Sequence, residues 1–405
     1  MKRWAMTLIM KKHLFLPIII IGLISCQPSP QAEVVHPPLP EVDIYADYPQ
    51  RQMDVSDLAE VVYIPLPKKL FLENRSYHST FRGCISENLI ASRTLASGDV
   101  EVFDHTGKKI GGFNRQGNSE EEYSYLFDMY MDNDRQEIWI EYNCRQFKVY
   151  TFDGTFKRNI TFPEQLNAQV FTEYSRDSLL CYDDNLVENG QNKNPTPFYL
   201  LSKEDGGIRK ITSVRVSQRL NNNECFVLNL GGIQQMVRFL LSTLPMQVCN
   251  GKAVLADYAQ DTVFIYQNEK TTPLFVRKPS VFASLPFILT SVNFLTDRFL
   301  FFSFHEKANS KDAFNRSLMY DFADGKTYRY QLQNLDFEPA LNVRIDSYKN
   351  YYPSNWMVNE ITVDRFLKYH REGKLKGKAS EVATRIKSTD TSVLIIYKFH
   401  NKKNI

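Results

Sequence analysis

Val102-Phe103-Asp104-His105-Thr106-Gly107-Lys108-Lys109-Ile110 is the unit that decides the fold, because the chain repeats it as Val149-Tyr150-Thr151-Phe152-Asp153-Gly154-Thr155-Phe156-Lys157. Each copy is a strand with an aromatic residue, a tight turn built on Asp and Gly, and a second, more polar strand. Weaker copies place the turn at Gly206, Asn268 and Gly325, so the steps between successive turns are 47, 52, 62 and 57 residues. A repeat of about 50 residues and about four strands is typical of the blades of a β-propeller.

The rest of the chain is also rich in short alternating segments that end at Gly, Asn, Asp or Pro, so we predict an all-β fold. A sixth blade would form if the terminal strand Ser392–Phe399 paired with the early segment Ala59–Leu66, which would close the ring and remove a free sheet edge. A large β-sandwich or an irregular solenoid is the alternative. The strand candidates are Val61–Leu66, Asn88–Arg93, Val100–Phe103, Glu137–Tyr142, Phe147–Phe152, Phe198–Ser202, Ala253–Tyr258, Val263–Tyr266, Phe299–Phe304, Leu318–Phe322 and Val393–Phe399.

Two segments near the C-terminus depart from the β pattern. The stretch Trp356–Tyr369 has apolar residues partly at helical spacing, with Asn359 as a candidate cap, and Ala379–Ile386 is a shorter amphipathic stretch. We therefore predict a small helical insertion in the last blade, packed across one end of the ring.

The N-terminus has the pattern of a secretory signal. Lys11 and Lys12 precede the apolar run Leu14–Ile24, which the small residue Ser25 follows. This run is shorter than the roughly 20 residues that a helix needs to cross a bilayer. Leu23-Ile24-Ser25-Cys26 resembles the bacterial lipobox, in which the cysteine is lipidated and becomes the new N-terminus. We expect lipidation at Cys26, and either Met1 or Met10 as the start.

Three regions follow from this interpretation: a lipoprotein signal peptide (1–25), the lipidated cysteine with a Pro-rich, semi-rigid linker (26–42), and a six-bladed propeller (43–405).

Cleavage before Cys26 removes four basic residues, so 49 Lys and Arg become 45 against 46 Asp and Glu. The near-neutral mature chain gives no electrostatic reason to bind nucleic acid. The five other cysteines are odd in number and widely spaced, which favours small buried hydrophobic residues over a metal site.

Four segments carry a resemblance to a known family: the lipobox, 57–66, 114–123 and 390–399. The chain resembles the six-bladed β-propeller lipoproteins of Bacteroidetes, which are related in style to NHL-repeat propellers. At 114–123 that family reads Gly-Arg-x-Gly-x-Gly-Pro-Gly-Glu-Tyr, of which this chain keeps Arg115, Gly117, Glu122 and Tyr123. The resemblance implies a cell-envelope lipoprotein, anchored to the membrane by its lipid. It carries over no catalytic residues. Gln27, rather than Asp, follows the lipidated cysteine, which argues against retention at the inner membrane, so we expect the outer membrane.

The residues offer little evidence for catalysis. No nucleophile motif, zinc motif, phosphate-binding loop or dinucleotide fingerprint occurs, and no histidine lies in a recognised motif. Some six-bladed propellers hold Ca²⁺ in the axial channel, so a calcium site there stays open, although we predict no cofactor. Asx turns explain the two acidic groups, Asp128 with 132–134 and 183–185.

The main functional hypothesis is a non-enzymatic binding or scaffold module for a peptide, a glycan or an envelope protein. The alternatives are a hydrolase or lyase with a metal or acidic site in the channel, and a structural subunit of an outer-membrane complex. Aromatic residues could stack on sugars, for which Tyr142, Tyr258, Tyr351, Tyr352 and Trp356 are the candidates. The residues that we expect to face a ligand are Arg115, Glu122, Tyr123, Tyr142 and Trp356.

Overall fold

The structure is a computed structural model. It describes residues 39–68, 70–72, 80–81, 83–94, 97–126, 128–143, 146–163, 166, 170–183, 194–220, 223–230, 233–240, 244–307, 313–345 and 352–400. All statements below concern these residues.

Of the five N-terminal strands, the first three pair with strands far ahead in the sequence and the last two pair with each other. A 3₁₀ turn at Val55–Asp57 is capped by the side chain of Asp54, which accepts a hydrogen bond from the amide of Ser56. The first strands are β1 (Glu41–Asp43), β2 (Gln50–Asp54), β3 (Ala59–Leu66), β4 (Phe71–Leu72) and β5 (Thr80–Phe81).

Three four-stranded antiparallel sheets follow, each with its strands in sequence order. They are blade one, with β6 (Gly83–Ile85), β7 (Leu89–Thr94), β8 (Asp99–Asp104) and β9 (Lys109–Asn114); blade two, with β10 (Asp128–Asp132), β11 (Glu137–Asn143), β12 (Gln146–Thr151) and β13 (Phe156–Thr161); and blade three, with β14 (Val170–Ser175), β15 (Ser178–Tyr182), β16 (Phe198–Ser202) and β17 (Ile208–Lys210).

A two-stranded hairpin, β18 (Asn223–Leu230) and β19 (Ile233–Leu240), separates blade three from blade four. Each of the next two blades gains a parallel strand from the N-terminus on its outer edge: β1 joins blade four and β2 joins blade five. Blade four contains β20 (Met246–Cys249), β21 (Lys252–Leu255), β22 (Thr262–Gln267) and β23 (Lys270–Lys278); blade five contains β24 (Ile288–Leu295), β25 (Phe299–Glu306), β26 (Asn315–Asp321) and β27 (Lys326–Asn334), with the short β28 (Leu341–Asn342) beside β27.

The two ends of the chain build blade six together. β29 (Trp356–Thr362) pairs with β30 (Ser392–Phe399), and β30 pairs with β3 in an unbroken antiparallel register from Ala59 opposite Phe399 to Leu66 opposite Ser392. The predicted closure of the ring is therefore confirmed, and the fold is an all-β six-bladed propeller.

The hydrophobic core consists of six clusters, and each cluster lies between two neighbouring blades. The closing strand β30 is apolar without alternation from Val393 to Tyr397. Val393 and Ile395 pack toward blade five, whereas Leu394 and Ile396 pack toward blade one. Both faces of β30 are thus buried, as in a sheet stacked between two others.

The repeated turns are structurally equivalent, as predicted. Each joins the third and fourth strands of a blade, and each has a positive φ, from 49° to 85°. At Gly107 a Cβ atom would lie 2.2 Å from the carbonyl oxygen of Pro65, so this turn requires glycine both for its φ and for its close approach to blade six. The five turn residues are Gly107, Gly154, Gly206, Asn268 and Gly325.

The helical insertion near the C-terminus is confirmed, but its predicted start was wrong. Trp356–Thr362 forms the strand β29, and the helix α1 begins only at Val363 and ends at Arg371. Its cap is Thr362, whose hydroxyl accepts a hydrogen bond from the amide of Arg365, and not Asn359. A second helix, α2, spans Gly377–Ala383, and both helices pack against blade six. Among the described residues, no helix is long and apolar enough to cross a membrane.

Candidate binding site in the axial cavity

The first strands of neighbouring blades contact one another around the axis, as β6 does with β10 and β20 does with β24. At one end of this axis, the turns between first and second strands surround a cavity of about 320 Å³, which we call the axial cavity. Cavities of this size accommodate small ligands. Blades one to four and blade six contribute to its wall: Ser86 and Glu87, then Asn133 and Asp134, then 172–176, then Asn250, and finally 352–355.

The wall of the axial cavity combines aromatic surface with hydrogen-bonding groups. Tyr130, Tyr174 and Tyr352 line it, one from each of three blades. The ring of Tyr174 packs on that of Tyr266, with 5.6 Å between the centroids. Burial raises the pKa of Tyr174, so its hydroxyl stays protonated and can both donate and accept a hydrogen bond. Asn and Ser side chains provide further donors and acceptors around the rim.

A buried cluster of charges lies behind this wall. The Nζ atom of Lys203, at the end of blade three's third strand, is 2.9 Å from Oδ2 of Asp132 and 2.6 Å from Oε1 of Glu173. The hydroxyl of Tyr130 is 3.2 Å from the same Nζ. The side chains of Lys203 and Asp132 are fully buried, whereas that of Glu173 is 41% exposed and reaches the axial cavity.

Each member of this cluster is fixed by its surroundings. Asp132 also accepts a hydrogen bond from the amide of Arg135, so it closes the turn after β10 while it binds Lys203. Burial, followed by the charges of Glu173 and Asp132, raises the pKa of Tyr130 far above its ordinary value. Tyr130 therefore stays neutral, and the cluster holds one ammonium group and two carboxylates at fixed positions.

The segment 114–123, which carries the family resemblance, connects blades one and two and does not line the axial cavity. The hydroxyl of Tyr123 accepts a hydrogen bond from the amide of Arg115 (3.0 Å) and donates one to the carbonyl of Gly98 (2.6 Å). Arg115 Nε donates to the carbonyl of Gly154 in blade two (2.8 Å), and Glu122 accepts from the amide of Ser119. These contacts brace the connection between the two blades, and Tyr123 has no exposed surface.

The other residues that the sequence predicts to contact a ligand differ in how deeply they are buried. Trp356 is 1% exposed and belongs to the core cluster between blades six and one, with Lys398 Nζ 4.3 Å from its ring centroid. Tyr352 lines the axial cavity, whereas Tyr258 is buried against Tyr182. The side chain of Tyr142 lies outside the part of the chain that the structure describes, as do Cys26 and Tyr351. The ligand-facing role of these residues stays a prediction.

The described members of the two acidic groups take part in structural contacts, whereas residues 184–185 and the side chain of Asp128 lie outside the part of the chain that the structure describes. Asp183 accepts a hydrogen bond from Asn194, and the group around Asp132 belongs to the cluster described above. Within the described ranges, no three His, Cys, Asp or Glu side chains lie close enough together to hold a metal ion. Cys84, Cys181 and Cys249 carry buried thiols, as the sequence predicts, and burial raises the pKa of Cys249 to about 12.

Sequence reasoning missed Lys203 and Glu173. The available signal was a lysine placed directly after the apolar strand Phe198–Ser202, where the other repeats carry His105, Phe152, Asn268 and Phe322. Glu173 gives no sequence signal, because it is a single acidic residue in an alternating strand.

Comparisons with known proteins agree with this fold. A family model described as a 6-bladed beta-propeller matches residues 41–227, which include the N-terminal strands and blades one to three. Among solved structures, a candidate exported protein from Bacteroides fragilis is 14% identical with a TM-score of 0.52, and the alignment covers 89% of this chain and 99% of that one. A member of the duf4221 family from Bacteroides vulgatus is 8% identical with a TM-score of 0.44, over 85% and 98% of the two chains. No curated protein matches the sequence.

Proposed function

We propose that this protein is a lipid-anchored, non-enzymatic binding module of the cell envelope that takes a small polar ligand, a segment of a peptide or a glycan, into its axial cavity. The observation that carries this proposal is the cavity of about 320 Å³ into which five blades extend tyrosine, amide and carboxylate side chains. A rigid ring with a recess at its axis can position such groups at little entropic cost.

The proposed location rests on the N-terminal sequence. Leu23-Ile24-Ser25-Cys26 follows a signal-like apolar run, and the Pro-rich segment after it would hold the propeller away from the membrane. The export named for the Bacteroides fragilis protein of similar fold is consistent with this location. Lipidation at Cys26 predicts that an alkyne-palmitate label enters the wild-type protein and is lost in Cys26→Ala. Equal labelling of both proteins would contradict lipidation at Cys26.

Ligand binding in the axial cavity can be tested by blocking the cavity. Ser175 is exposed and lines it, so Ser175→Trp would fill part of the volume. Thr212→Trp adds the same side chain at an exposed position that does not line the cavity. We expect the wild type and Thr212→Trp to bind the same members of peptide and glycan arrays, and Ser175→Trp to lose them.

Binding that survives Ser175→Trp would place the recognition surface elsewhere and refute the cavity as the site. A stable envelope protein that co-purifies equally with both tryptophan variants, without array binding, would instead support a structural subunit.

A further inference from the structure

We propose that the axial cavity recognises a protonated primary amine and that Glu173 is its carboxylate contact. This inference rests on the proposed function, because it names the chemical class of the ligand for the same cavity.

The first step is the charge that the buried cluster delivers to the cavity. Lys203 and Asp132 are fully buried and 2.9 Å apart, so their opposite charges cancel where neither meets solvent. Glu173 is the third member, 2.6 Å from Lys203, and its side chain is the one in this cluster that lines the cavity and is partly exposed. The cluster as a whole therefore places one net negative charge in the cavity wall, on Glu173.

The second step is that this carboxylate is preorganised. A glutamate on a surface strand loses side-chain entropy when it binds a ligand, but the short hydrogen bond from Lys203 already restricts Glu173. Lys203 itself has a fixed position, because Asp132 and the hydroxyl of Tyr130 hold the same Nζ atom. A positioned charge in a partly enclosed cavity binds an opposite charge better than a mobile one does.

The third step is the balance of the remaining charged groups in the wall. Glu87 and Asp134 add two carboxylates, while Arg176 adds one guanidinium. The Nζ atom of Lys398 lies 3.9 Å from Oε2 of Glu87, so its positive charge offsets that carboxylate. Three carboxylates against these two cations leave a net charge of −1, so the cavity favours a cation. A primary amine fits because its three N–H donors can meet Glu173 and the neutral oxygens of Ser and Asn side chains in the wall together.

The amine could come from a lysine side chain or from an amino sugar, and matched probes separate the two sources. The peptide pair is acetyl-Gly-Lys-Gly-amide and the same peptide with its lysine Nε acetylated. The sugar pair is the disaccharide of glucosamine and its N-acetylated form. Binding of each probe to the full chain in detergent is measured by calorimetry.

We expect at least one amine probe to bind at least tenfold more tightly than its acetylated partner, and Glu173→Gln to lose that preference. Glu204→Gln is the matched control: Glu204 pairs with Arg135 outside the cavity, and its side chain is 76% exposed. It removes the same charge and should retain the preference. An unchanged thermal unfolding midpoint in Glu173→Gln shows that the loss does not come from misfolding.

Two results would overturn the inference. Acetylated probes that bind as tightly as their amines, with Ser175→Trp blocking both, would leave the cavity as a site but refute the amine. Failure of both amine probes to bind would also refute it, and array ligands that are blocked by Ser175→Trp would then show that the proposed function survives.

Discussion

Alanine substitutions at two adjacent residues of the closing strand test the propeller most directly. Leu394 faces blade one and Ile395 faces blade five, and both are 0% exposed. Each substitution by alanine removes three carbon atoms, worth about 2.4 kcal/mol at about 0.8 kcal/mol each. The cavity left behind raises the cost to as much as about 5 kcal/mol. We therefore expect both Leu394→Ala and Ile395→Ala to destabilise the protein by about 2–5 kcal/mol.

Urea unfolding followed by tryptophan fluorescence measures this cost, because Trp139 and Trp356 are both buried. The control is Ile110→Ala on β9, where the isoleucine is 51% exposed and the expected change is below about 1 kcal/mol. In a sheet with one face in solvent, only alternate positions would be costly. A change below about 1 kcal/mol for either Leu394→Ala or Ile395→Ala would refute the stacking of β30 between two blades.

Three further predictions concern stability, each measured by the same unfolding assay. Gly107→Ala should lower the free energy of unfolding more than Gly251→Ala does. Both glycines have a positive φ, which costs an alanine roughly 1–2 kcal/mol. Only the added Cβ at Gly107 would also meet backbone atoms within 4 Å. Lys203→Met should lower the free energy of unfolding by about 3–5 kcal/mol, because it leaves the buried carboxylate of Asp132 without its counter-charge. Adding Asp132→Leu should restore most of the lost stability. Burial, and then the charge of Arg277, lowers the pKa of His305 from 6.5 to about 4. The free energy of unfolding should therefore fall by up to about 3 kcal/mol as the pH drops from 6.5 to 4. His305→Phe should reduce this pH dependence.

Different outcomes would contradict each of these. Equal costs for the two glycine variants would mean that the turn at Gly107 does not press on blade six. A double variant at Lys203 and Asp132 that is no more stable than Lys203→Met would show that the uncompensated charge of Asp132 does not cause the loss of stability. For His305, the sign follows from the unfolded chain taking up a proton below pH 6.5 that the folded chain excludes. A pH profile that is the same in His305→Phe would assign the acid sensitivity to other groups.

The architecture could be predicted because its signals are local and repeated. A turn residue with positive φ, such as Gly154, recurs at nearly regular steps. The strand Ser392–Phe399 is apolar without alternation from Val393 to Tyr397, because both of its faces are buried. The prediction of a helix at Trp356–Thr362 was wrong because a non-local interaction decides the structure there. The spacing of apolar residues in this segment suits a helix, but seven consecutive pairings with β30 make it a strand, so tertiary pairing overrides the local pattern.

The axial cavity could not be predicted in the same way, because its wall comes from turns that are far apart in the sequence. Asp132 lies on β10 of blade two, whereas Glu173 on β14 and Lys203 after β16 belong to blade three, so the three side chains meet only because the two sheets are neighbours. By contrast, Arg115 and Tyr123 were noticed through a sequence motif, and the structure gives that motif a role in joining two blades.

The pairing of β3 with β30 sets the order of events when the protein is made. Ala59 is opposite Phe399, so the partner of an early strand is synthesised only after all the other blades. The rims of blades four and five have the same dependence, since Glu41 is opposite Val276 and Gln50 is opposite Arg329. Such distant pairings make folding slow, and apolar strands that wait for their partners are prone to aggregate. A chain that emerges N-terminus first therefore keeps β3 without its partner until β30 has emerged.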